Sequence, residues 1–135
     1  MSSNLVRTIL ALVVGAHGIG HVLFLLPLVG IADWGQSTRS WLLSGTGGNL
    51  VARMIGSIVW VAATLGFIVV AAGILGQLDW WRNLAIAFSA ISILGLVLFW
   101  KNPASSSAFS ALLFDVAVLV ALLVFRWPSA NLIGT

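Results

Sequence analysis

Four apolar stretches, each about as long as the roughly 20 residues a helix needs to cross a bilayer, leave this chain few folds to choose from. They run near Leu5 to Val29, Leu50 to Leu75, Leu84 to Trp100 and Phe109 to Phe125. The chain of 135 residues is 61% hydrophobic and 7% charged, whereas about a quarter of the residues of a soluble domain are charged. Water is therefore not its main solvent. The expected fold is all-α, a four-helix transmembrane bundle forming a single integral membrane domain over residues 1–135.

The edges of the spans carry physical punctuation. Pro103 follows the third span and Pro128 the fourth, where a proline cannot continue a helix. Ser105, Ser106 and Ser107 offer hydroxyls to cap the free amides that open the fourth span. Six of the seven tryptophans (Trp34, Trp41, Trp80, Trp81, Trp100 and Trp127) fall at span ends or in the first loop, where an amphipathic ring suits the headgroup level. Trp60 alone falls inside a span. Leu5 to Ala16 has a signal-peptide flavour, with Arg7 before it and Val14-Gly15-Ala16 as an acceptable cleavage tripeptide. Because the sequence starts at Met1, the expectation is a retained first span.

Short linkers at Gln77 to Trp81 and Lys101 to Ala108 predict that spans two, three and four pack as antiparallel neighbours. The longer first loop, Ile31 to Asn49, contains Trp34, Trp41, Leu42 and Leu43, which predicts a segment on the membrane surface or over the bundle mouth. Its Gly45-Thr46-Gly47-Gly48 lacks the lysine of a phosphate loop and reads as a flexible turn. Asp79 and Arg82 are expected to form an interfacial i, i+3 pair.

Several function classes fall away. The six basic residues are scattered singly, so no nucleic-acid partner is expected. With no cysteine in the chain, disulfides, thiolate catalysis, cysteine-ligated zinc and iron–sulfur clusters are excluded. No serine lies in a strained elbow, so hydrolase chemistry is set aside and no catalytic residue is assigned.

What persists is a small set of polar groups inside the spans, where an ionisable side chain costs on the order of 3 kcal/mol. These are His17, His21 and Asp115, joined by Arg53 if its head turns inward. A rise of 1.5 Å per residue puts His21 roughly 13 Å, His17 roughly 19 Å and Asp115 roughly 10 Å from the first-loop edge, so all are expected in the half of the bilayer nearer that loop. His17 and His21 share a helix face. In span two Arg53, Ser57, Trp60 and Thr64 make the most polar stripe, and in span three Ser89 and Ser92 do. The inferred ligand pocket comprises His17, His21, Asp115, Arg53, Ser57 and Trp60 and opens toward the first loop.

Its chemistry stays open among several readings. The groups can bond to one another and fix helix register, with Gly15, Gly18 and Gly20 admitting a close neighbour. Histidines at i and i+4 with Asp115 also make two imidazoles and a carboxylate, a candidate metal set. A quinone would find a histidine donor, a nearby carboxylate and Trp60 as a stacking surface. A tetrapyrrole could take one axial histidine, but two on one helix face cannot ligate both sides of a haem.

The length, the four spans and the glycine-rich first helix resemble the DoxX-like group of small bacterial membrane proteins, and the His17-Gly18-Ile19-Gly20-His21 string with Trp80-Trp81 before span three resembles other bacterial four-helix membrane proteins with a similar first helix. Some of the DoxX-like group are associated with quinone-linked redox complexes, which is what the resemblance implies here. The expected function is an accessory protein of the bacterial cytoplasmic membrane that binds a quinone-like or other hydrophobic ligand near a redox system. Its termini are expected in the cytoplasm. The alternative is a structural subunit or homo-oligomer of a larger complex, whose small residues, Ala62 with Gly66 and Ala72 with Gly76, dock partner helices.

Overall fold

The computed structural model describes residues 3–101 and 104–133, and Pro103, expected to stop span three, lies outside them. The chain folds into α1 (Ser3–Gly20), α2 (Val22–Val29), α3 (Leu43–Thr46), α4 (Gly48–Leu75), α5 (Trp81–Leu98), α6 (Ser106–Leu119) and α7 (Ala130–Ile133), with a π-helical turn over Val120–Val124. No strand occurs among the described residues. Four helical stretches are long and apolar enough to cross a membrane: Ser3–Val29, Gly48–Leu75, Trp81–Leu98 and Ser106–Val124. The protein is an all-α four-helix bundle of the multi-pass membrane kind, and its outer faces carry exposed Leu, Ile, Val and Phe.

Local chemistry sets the element ends. Ser105 caps α6 by accepting from the Ala108 amide at 3.2 Å. Gly30, at φ 81°, closes α2 with its amide on the Pro27 carbonyl, while the Ile31 amide reaches Leu26. That is the paired-bond helix stop that a left-handed glycine permits. Pro27 lacks an N–H and so leaves the Leu23 carbonyl without its helical donor. The Trp34 indole supplies one at 2.7 Å.

In chain order around the bundle, α4 packs against α1 and α5, and α5 packs against α6, whereas α1 and α6 meet at few points. The antiparallel neighbours expected from the short linkers are thus present. Two apolar cores form. One gathers Val6, Ala11, Val70, Ile74, Trp81, Ala85, Leu122 and Ile133 at the terminal end. The other gathers Phe24, Leu28, Trp60, Ala63, Leu96 and Phe99 at the first-loop end. Between these two sets lie His17 on α1, His21 at the junction of α1 and α2, Ser89 and Ser92 on α5, and Asp115 on α6. A polar belt at mid-height results.

Some expectations are corrected here. His17 and Asp115 lie near the middle of Ser3–Val29 and of Ser106–Val124, while His21 lies nearer the first loop; Asp115 is deeper than expected because α6 begins earlier than its first large apolar residue. Trp81 is buried at 4% exposure, since it turns inward against the terminal core. Asp79 and Arg82 do not pair; Arg82 donates to the Pro128 carbonyl, and its guanidinium stands 5.1 Å over the Trp81 ring. Gly66 faces the interior, where a Cβ would come within 2.2 Å of the Phe88 ring. It is no lipid-facing dock. Leu43 to Thr46 is a helical turn leading into α4 through Gly48 at φ 80°.

Candidate functional site

The belt is built from three helices. Asp115 on α6 is fully buried at 0% exposure, and its two carboxylate oxygens are each taken. His17 Nε2 donates to Oδ1 at 3.0 Å, and the Ser92 hydroxyl of α5 donates to Oδ2 at 2.5 Å. Because the single proton of Ser92 is committed to Asp115, its oxygen accepts from His21 Nε2 at 2.7 Å. His21 is therefore protonated on Nε2, which leaves Nδ1 as a bare acceptor. That nitrogen is buried with no hydrogen-bond partner. An unsatisfied acceptor in the interior is costly, on the order of 1–3 kcal/mol.

Aromatic rings hold the imidazoles in place. His17 stacks on Phe114 with centroids 4.0 Å apart and meets Phe67 edge-on at 4.8 Å. His21 lies parallel to Phe67 at 5.6 Å and stacks on Trp60 at 5.7 Å. The two imidazole centroids are 4.6 Å apart. Such rings fix orientation without competing for the nitrogens.

One side of this cluster is open. Between α1 and α6 lies a cleft of about 410 Å³, walled by Val13, Ala16, Leu23, Phe24, Ala111 and Phe114, with His17, Gly20 and His21 along it and Ser107 and Ser110 toward the first loop. A Cβ at Gly20 would meet nothing within 4 Å, so this glycine leaves space where Gly18, on the opposite face, does not. The first loop straps the loop-side end of the cleft. Trp34 holds Leu23 on one wall, while Gln36 donates to Ser107 on the other and accepts from Ser105 at 2.8 Å. The expected position of the loop over the bundle mouth is seen. The cleft itself opens sideways between helices, not toward the loop.

Of the six residues expected in the pocket, four come together: His17, His21 and Asp115 directly, and Trp60 as the ring beneath His21. Arg53 stands apart. Its Nε donates to the Leu28 carbonyl at 2.6 Å, where a cation compensates the negative end of α2. Ser57 is half-buried and makes no hydrogen bond to the cluster. Ser92, Phe67 and Phe114 belong to the site but were not expected in it. Ser92 had a signal, the Ser89/Ser92 spacing on an otherwise apolar helix. The two phenylalanines had none, because aromatic residues face lipid and core alike.

No family model, no curated protein and no solved structure matches this chain.

Proposed function

We propose that this protein holds a small lipophilic molecule with a polar ring, a quinone-like headgroup being the best match, in the cleft between α1 and α6. The observation that carries the reading is a lateral cleft of about 410 Å³ with apolar walls and an imidazole edge along it. Ligand sites are commonly concave, mostly apolar and furnished with a few placed polar groups. A ring entering from the lipid would find Phe114 and Phe24 as flat surfaces and His17 as the hydrogen-bonding group, with Asp115 holding that imidazole in orientation. The resemblance to DoxX-like proteins favours the same chemistry. On this reading the protein is an accessory component near a redox system in a bacterial cytoplasmic membrane, with both termini on the cytoplasmic side.

The test begins with purified protein, whose bound small molecules are extracted and identified and whose absorption spectrum is recorded. A short-chain quinone is then titrated against tryptophan fluorescence. Wild-type protein should quench saturably, and Gly20→Phe, which fills the cleft and leaves every residue of the cluster in place, should not. Equal quenching of both would overturn the reading.

A second reading rests on a different observation: His17, Asp115, Ser92 and His21 bond mainly to one another. A structural subunit or homo-oligomer needs no more than that. His21→Leu separates the two, since loss of ligand with intact assembly favours the cleft, and loss of assembly with no ligand to lose favours the structural role.

A further inference from the structure

The cluster presents a second chemistry that needs no organic ligand. His17, His21 and Asp115 each offer one ligand atom, and these atoms lie within 4.8 Å of one another. We propose that the three form a site for a divalent transition-metal ion of borderline softness, such as Zn²⁺, Fe²⁺, Co²⁺ or Cu²⁺, at the inner edge of the α1/α6 cleft.

Four features support this. The donor set, two imidazoles and one carboxylate, suits nitrogen- and oxygen-binding transition ions and is poor for magnesium or calcium, which take oxygen ligands. The spacing is close to what coordination demands. His17 Nε2 and Asp115 Oδ1 are 3.0 Å apart, the separation of two ligands at about 90° when each bond is about 2.1 Å. Ligands on opposite sides of such an ion stand about 4.2 Å apart, so the widest spread in the cluster closes by a shift of side chains, not of helices. The third feature is His21, whose Nδ1 is buried with no hydrogen-bond partner and reaches the ion by the same side-chain shift. Meanwhile its Nε2–H is held by Ser92, as metal-bound imidazoles hold their outer N–H. The fourth is access: His17 and His21 line the cleft, which leaves room for the open position that three-ligand sites keep.

Binding requires no loss of protons from neutral imidazoles. His17 gives up its Nε2 proton to its own Nδ1, and the freed lone pair joins the ion together with the carboxylate oxygen that had accepted that proton's hydrogen bond. Ser92 keeps its bond to the second carboxylate oxygen and becomes the outer partner of both Asp115 and His21. Metal binding is measured without quinone, so it stands or falls separately from the cleft reading.

The chain contains only two histidines, which makes the test unusually direct. Untagged full-length protein in detergent micelles is loaded with one equivalent of Cu²⁺, and electron paramagnetic resonance should resolve two imidazole nitrogens on the copper. With Co²⁺, visible bands of a low-coordinate ion should appear, and fluorescence from Trp60, which stacks on His21, should fall. Replacing a ligand by Asp115→Asn or His17→Gln should weaken Co²⁺ binding by about 100-fold or more, and Ser92→Ala by about 10-fold. A copper spectrum without two nitrogens overturns the proposal and needs no variant to do so. Co²⁺ binding equally tight in wild type and in both ligand variants would overturn it as well.

Discussion

The first helix has two unlike sides. Toward α4 it is sealed: a Cβ on Gly18 would sit 2.7 Å from the Cβ of Phe67 and 3.1 Å from the Thr64 carbonyl oxygen. Toward α6 it is open, separated by a cleft of about 410 Å³ and bridged through His17, by its hydrogen bond of 3.0 Å to Asp115 and its stacking on Phe114. In lipid no hydrophobic force draws helices together, so close packing has to come from shape and from polar bonds. Small residues provide the first on one side. On the other a polar strut holds two helices at a distance, and a gap that lipid-facing side chains do not fill remains.

Four substitutions bear on that contrast, taken from the largest effect down. Gly18→Val forces side-chain atoms into the α4 backbone and should cost about 3 kcal/mol in reversible unfolding followed by circular dichroism in mixed micelles, the upper range for overpacking. Little change there would mean that the sealed side is not sealed. Asp115→Leu removes the acceptor shared by His17 and Ser92 and should cost about 1–2 kcal/mol in the same assay, as intramembrane hydrogen bonds do. A stabilised variant would show that the strut is a liability in the empty protein, and would sharpen the view that it is kept for a ligand. Trp34→Phe releases the loop strap from Leu23 and should cost about 0.6 kcal/mol, with faster proteolysis of the first loop as the second readout. Gly20→Ala adds a methyl to open space, so its stability should stay within about 0.5 kcal/mol of wild type. A larger penalty would place α6 closer to α1 than the cleft allows.

Much of this was legible in the residues, and for identifiable reasons. Span lengths, the Ser105 cap and the first loop over the mouth follow from local rules, since each depends on neighbours in sequence. The meeting of His17 with Asp115 was legible too, because isolated ionisable groups in hydrocarbon must find each other. Depth was less so: counting from the first apolar residue misplaced the start of α6, whose opening Ser106, Ser107 and Ala108 are helical despite their modest hydropathy. Arg53 looked like a pocket member because its stripe is polar, yet a helix terminus offered a nearer acceptor. Trp81 and Gly66 were read as outward-facing. The choice of face in an all-apolar helix leaves no trace in hydropathy, so only packing reveals it.

The proline at position 27 interrupts the hydrogen-bond ladder of the first span. By denying one carbonyl its usual donor it creates a vacancy that the indole of Trp34 fills from the loop. Restoring the amide with Pro27→Ala would mend the helix and leave that indole redundant, so the strap would lose its reason to stay. A small fault in one helix thereby governs how firmly a distant stretch of chain is moored.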